Sequence, residues 1–235
     1  MIEIWSYLAR DPLLWLTATL AAYVAGVAAF QAAGRSPLAN PAVIAVVLLA
    51  LLLGVTGTPY ATYFQGAQFV HFLLGPATVC LALPLWENLP RVRRAALPLL
   101  AALAVGSVVS MGSALAILWA FGADVGMLAS MAPKAATAAI AIGVSEQLGG
   151  SPTMTALVVM LTGISGAVVA TPLLNLLGLS DWRARGFAVG VAAHGFGTAR
   201  AFQVHPTAGA FAGLGMGLNA LATAILAPLA MGLFR

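Results

Sequence analysis

Apolar stretches near the length that crosses a bilayer succeed one another along this chain, with most of the charge in the short gaps between them. A hydrocarbon layer of about 30 Å takes about 20 apolar residues as a helix. Stretches that reach or approach this length lie near residues 12–33, 38–54, 69–86, 95–121, 126–147, 152–178, 186–200 and 208–233. The gaps are turn-like or charged: Arg35-Ser36-Pro37, Glu87 to Arg94, Gly149-Gly150-Ser151-Pro152 and Asp181 to Arg185. A backbone in lipid must satisfy its own polar groups, so the expected fold is all-α, a polytopic membrane helix bundle of about 7–8 segments. No linker is long enough to divide it, and residues 1–235 read as one membrane domain.

Composition removes the soluble alternatives. Hydrophobic residues make up 62% of the chain and charged residues 7%, where soluble domains carry roughly a quarter charged. The net charge of +4 comes almost wholly from arginines, with Lys134 the single lysine. These arginines read as loop charges facing an anionic leaflet, and nucleic acid is excluded as a partner. Cys80 alone forms no internal disulfide. No set of residues has metal-ligand or catalytic spacing, so no cofactor, metal or enzyme activity is expected.

The two halves correspond at an offset of about 115 residues, with Gly34, Ser36, Pro37, Phe72 and Gly75 matching Gly149, Ser151, Pro152, Phe187 and Gly190. Two repeats follow, about 8–120 and 124–235, each with a short glycine-interrupted third segment and a long fourth. Such repeats with discontinuous helices are the usual architecture of secondary transporters. If every segment crosses, the arginines split evenly between the two sides. If the segment 126–147 is re-entrant, every loop arginine except Arg10 falls inside, Arg235 included, and the repeats are inverted. Glycine and small residues at four-residue spacing, as in Gly209, Gly213 and Gly217 or Gly106, Ser110 and Ala114, read as packing faces.

Four ionisable residues stand away from obvious loops: His71, Lys134, His194 and Arg200. Ionisable groups in a membrane are costly and face interior cavities. Lys134 is the strongest case, because Pro133 before it breaks the helix and frees backbone groups for a ligand. Snorkelling to an interface, or pairing with Glu146 or Asp124, is the alternative. The run Ala193 to Arg200 places Gly195 and Gly197 around an aromatic between His194 and Arg200, and points to an unwound helix. Its amides, with Thr198 and His194, would hold a small polar solute; Arg200 serves equally well as a helix-end anchor. In the first half Gly75, Pro76 and Thr78 interrupt the matching segment, and Asn40 before Pro41 is either a ligand or a plain cap. No acid lies near the centre of any segment. The expected solute is therefore a small anion, held by Lys134, helix-end amides and the hydroxyls of Thr137 and Thr198. An anion channel satisfies the same residues.

The motifs Ser36-Pro37 with Asn40-Pro41, Leu74-Gly75-Pro76-Ala77-Thr78-Val79-Cys80-Leu81-Ala82-Leu83-Pro84-Leu85, Pro133-Lys134 with Thr137 and Ile140-Ala141, and His194-Gly195-Phe196-Gly197-Thr198-Ala199-Arg200 resemble the LrgB/CidB family. The resemblance implies a multi-pass protein of the bacterial cytoplasmic (inner) membrane with an LrgA/CidA-type membrane partner. It implies either antiholin-like control of murein hydrolase export and lysis, or transport of monocarboxylates such as pyruvate, glycolate and glycerate. The expected partners are thus a small anionic solute, the lipid bilayer and that membrane partner, with a second copy of the chain allowed. After the lysine the family usually continues with Ser and Thr-Thr-Pro, where this chain has Ala135-Ala136-Thr137-Ala138-Ala139.

Overall fold

A computed structural model describes residues 11–73, 76, 79–80, 86–87 and 89–234. Among the described residues there are ten α-helices and no strand. They are α1 (Pro12–Ala32), α2 (Pro41–Thr56), α3 (Tyr60–Phe72), α4 (Leu89–Arg94), α5 (Ala96–Ala120), α6 (Val125–Met131), α7 (Ala138–Leu148), α8 (Pro152–Leu176), α9 (Trp182–Val204) and α10 (Pro206–Met231). Helices α1, α5, α8 and α10 are long and apolar enough to cross a membrane. The chain forms two compact units, Met1–Cys80 and Leu81–Arg235.

In the first unit the helix starts follow from local chemistry. Asp11 and Asn40 cap α1 and α2 by accepting from the amides of Leu13 and Ala42, each at 2.9 Å, and a proline follows each cap. A proline at the first helical position loses only an amide that had no partner anyway. Trp15 is fully buried with its ring edge-on to Tyr63 at 5.9 Å. Gly26 packs on the backbone of Pro41, and Gly66 on that of Pro12; a Cβ at either would collide.

The second unit has two distinct ends. Arg94, Asp181, Arg183 and Thr207 line a vestibule at one end. At the other, Leu115, Leu128, Ala129, Ala227 and Met231 are buried together, with Phe234 against them. Helices α5, α8 and α10 run between these ends, and two helical hairpins fill the space beside them.

The first hairpin is α6 and α7, separated by a turn at residues 132–137. Its start and finish meet. The Ser151 amide donates to Ser130 Oγ at 2.8 Å, and a Cβ on Gly126 would touch Gly149 O at 3.7 Å. The buried Thr155 hydroxyl joins the same knot, 2.7 Å from Ser145 Oγ and 3.1 Å from Ser130 O. Residues 126–147 thus turn back on themselves rather than forming one continuous helix.

The second hairpin is α9, which the sequence presents as a single interrupted segment. Ala193 (φ −131°, ψ 16°) and His194 (φ 38°, ψ −130°) leave helical geometry and reverse the chain. Val189 O lies 3.0 Å from where a Cβ on Gly197 would stand. The Trp182 and His205 rings, on either side of the hairpin, stack at 4.9 Å with 2° between their planes. Only glycine at 197 lets the returning half lie this close to the outgoing one.

Phe234 packs at the end opposite Arg94 and Arg183. Arg235, expected on the inner side with the other loop arginines, lies outside the described residues. Each half of α9 is about 15 Å long, half the thickness of a hydrocarbon core.

Of the expected packing faces, Gly209 is packed against the Phe202 ring and Gly106 against Val191, while a Cβ at Gly217 would meet nothing. The closest backbone approaches are made by Gly186 and Gly190 of α9, against Ala208 and Ala212 of α10. The correspondence between halves is uneven too: the turn glycines Gly34 (φ 63°) and Gly149 (φ 85°) share a left-handed conformation. However, α1 is continuous where α6 and α7 are broken.

Candidate site between two hairpin tips

The tips of the two hairpins meet at α10. Asn219 is buried there among apolar neighbours, 13 residues into a 26-residue helix. Its Nδ2 donates to Ala135 O in the first tip at 2.9 Å and to Val191 O beside the second at 3.1 Å. Ser107 of α5 donates to its Oδ1 at 2.7 Å.

Lys134 sits in the first tip, half-buried, because Pro133 cannot continue α6. Its Nζ donates to Ser110 Oγ of α5 at 3.1 Å. Ser110, expected only to pack, is thus the lysine's hydrogen-bond partner. Asp124, one proposed ion partner, instead uses its carboxylate to cap α6 on the Met127 amide. Thr137 opens α7 with a half-buried side chain that makes no capping bond.

The second tip is held from three directions. The buried His194 ring places Nε2 2.9 Å from Val159 O of α8. The Thr198 hydroxyl donates to His194 O at 2.8 Å, within the first turn of the returning half-helix. On α8, Gly163 leaves room for the His194 and Phe196 rings, and Gly166 for Ala193. Gly195, in contrast, is exposed, with open space where its Cβ would be. The returning half-helix starts here, and its first amides lack intrahelical acceptors. Arg200 lies near the base of this hairpin, where Nη1 donates to Gln203 Oε1 at 3.3 Å.

A groove of about 600 Å³ connects the vestibule with this centre. Arg94 and Arg183 stand at its mouth, Pro98, Leu99 and Phe187 wall it, and Val191, Ala192 and Ser110 lie at its inner end. From Pro98 to Ser110 along α5 is about 18 Å. At the mouth Arg183 pairs with Asp181 at 2.6 Å. Its hydrogen bonds hold the Asp181 carboxyl below the usual carboxylate range. Arg185 is structural: its guanidinium donates to Leu179 O at 3.1 Å and Asn175 Oδ1 at 2.7 Å, and lies 4.8 Å over the Trp182 ring.

Lys134, Thr137, His194, Gly195, Gly197 and Thr198 all lie in the second unit, on the two tips that Asn219 joins or on the half-helices beside them. Asn40 belongs to the first unit and accepts from the Ala42 and Val43 amides as a cap. Pro76 is exposed, while Gly75 and Thr78 lie outside the described residues. The side chain of His71 is likewise outside them. Asn219, Ser107 and Gly163 were missed, because each is neutral and lies inside a continuous apolar helix, away from any break. An amide inside an apolar 26-residue run was the available signal for Asn219.

Long apolar helices and two fold-back hairpins define a multi-pass helical membrane protein. The model of the LrgB-like family matches residues 19–233, and the chain belongs to that family. Holin-like protein CidB of Staphylococcus epidermidis is 34% identical over 200 residues, covering 85% of this chain and 87% of that protein. The protein of the same name from Staphylococcus aureus is 33% identical over 199 residues, with 85% and 87% covered. Protein YwbG of Bacillus subtilis is 32% identical over 189 residues, with 80% and 84% covered. No solved structure matches.

Proposed function

We propose that the chain is a carrier of small monocarboxylates of the pyruvate, glycolate or glycerate kind, in the cytoplasmic membrane of a bacterium. The groove that leads from Arg94 and Arg183 to the Lys134–Ser110 pair carries this reading. Arginines at the mouth raise the local concentration of anions. Apolar walls accept a short carbon chain but offer nothing to a second charge. At the inner end Lys134 neutralises one carboxylate in exchange for its bond to Ser110, and Thr137 and the Gly195–Gly197 amides hydrogen-bond the solute. Two half-length hairpins entering from opposite ends leave this centre near the midplane, where alternating access needs it. The repeats would be inverted, with Ser151 and Ser180 on opposite sides.

Uptake of labelled pyruvate, glycolate and lactate into proteoliposomes tests the proposal. Saturable uptake lost in Lys134→Ala and weakened in Ser110→Ala is the expected result. Uptake unchanged in Lys134→Ala removes the site.

The name holin-like on the curated relatives favours a second reading. Here the protein restrains an LrgA/CidA-type membrane partner and so controls murein hydrolase export and lysis. That role depends on outward helix faces and leaves Lys134 dispensable. Lysis control retained by Lys134→Ala, with no uptake in the presence or absence of the partner, decides for it.

A further inference from the structure

An asparagine side chain has two N–H donors and one oxygen acceptor. In Asn219 both donors are engaged, one on each hairpin tip, and the oxygen accepts from Ser107. The two carbonyls it meets are those the chain breaks leave open. Ala135 lies in the turn between α6 and α7. In an unbroken helix Val191 O would accept from the amide of residue 195, which the geometry at Ala193 and His194 turns away. In an apolar interior either carbonyl would otherwise be orphaned.

We infer that Asn219 is a positioning residue that ties the two hairpin tips to one point of α10, so that the Lys134 tip and the His194 tip open and close as one unit. The side chain is short and its host helix continuous. Neither tip moves more than a fraction of an ångström without losing its bond. A solute that draws Lys134 away from Ser110 therefore acts on the second tip through Asn219. That consequence for a solute rests on the carrier reading; the tie itself does not.

The test is amide hydrogen exchange on the protein in nanodiscs, which measures no transport and so fails or succeeds separately from the carrier reading. Asn219→Ala removes all three bonds by truncation, and Asn219→Leu removes them while keeping the side chain's approximate size. Exchange at residues 132–137 and 193–197 is expected to quicken together in both variants, by about tenfold or more, with α1 and the middle of α8 unchanged. Ser107→Ala, which leaves both donors in place, is expected to change the tips less than about threefold. Quickening at one tip only, at neither, or uniformly along the second unit overturns the inference. The unmodified protein gives a check that survives a failure of the variants to fold. Under mild denaturant its two tips should exchange with a common opening free energy and slope, and two separate openings overturn the tie.

Discussion

Gly163 on α8 gives the sharpest test of how the second tip is held. A Cβ there would stand 2.6 Å from His194 Cε1, 2.8 Å from Phe196 Cδ2 and 3.0 Å from His194 Nε2. Ordinary carbon contacts are about 3.5–4.0 Å, so the imidazole must retreat by about 1 Å. The bond from His194 Nε2 to Val159 O, now 2.9 Å, then passes out of hydrogen-bonding range. Overpacking costs about 1–3 kcal/mol and a buried polar group left without its partner about 1–3 kcal/mol more. Replacing a helical glycine by alanine returns up to about 1 kcal/mol. Gly163→Ala should therefore destabilise the protein by about 1–5 kcal/mol, with Tm falling by about 2–4 °C for each kcal/mol in a chain of this size. Gly143 of α7 is the control, because a Cβ there meets nothing within 4 Å. Gly143→Ala should be neutral or gain up to about 1 kcal/mol. The assay is thermal unfolding in detergent followed by tryptophan fluorescence. A Gly163→Ala protein that melts at or above the wild-type temperature refutes the reasoning, since the tip would then have room that the geometry denies it.

In a Cys80→Ser background, single cysteines at Ser151 and Ser180 should react with membrane-impermeant reagents from opposite faces; labelling from one face sinks the inverted arrangement. Asp181→Asn should shift stability by no more than about 0.5 kcal/mol, because the Asp181–Arg183 pair is exposed and screened. It should lower the KM for a monocarboxylate by leaving Arg183 unpaired at the mouth, and the gain should shrink at high salt. The Asp181 carboxyl titrates below its ordinary value, so the pair is intact above about pH 4 and is lost only as pH falls through that lowered value. Any dependence of uptake between about pH 5 and 8 must then survive in Asp181→Asn. Arg185→Lys should cost about 1–3 kcal/mol in unfolding experiments, since an ammonium cannot span Leu179 O and Asn175 Oδ1 as the guanidinium fork does.

The sequence by itself determined the medium, the all-helical class, most helix limits and the places where helices break. Each of these is a local property. Helix length follows from the run of apolar residues, helix starts from Asp11, Asn40 and Ser151 before prolines, and one break from Pro133. The other break, expected around Gly195 and Gly197, falls just before them at Ala193 and His194, and the glycines are helical. Lys134 and His194 stood out because an ionisable group in an apolar run is costly wherever it points. What the broken segments do next was not legible. An interrupted helix has the same sequence whether it continues across the bilayer or turns back, and only the rotation at Ala193 and His194 makes α9 a hairpin. That choice was settled by contacts distant in the chain: Trp182 on His205, Gly163 beneath His194, and Ser130 bonded to Ser151. Ser110 and Asn219 acquired their roles in the same way. Their bonds to Lys134, Ala135 and Val191 bridge 24 to 84 residues, and a neutral polar side chain shows its partner only when the helices are packed together.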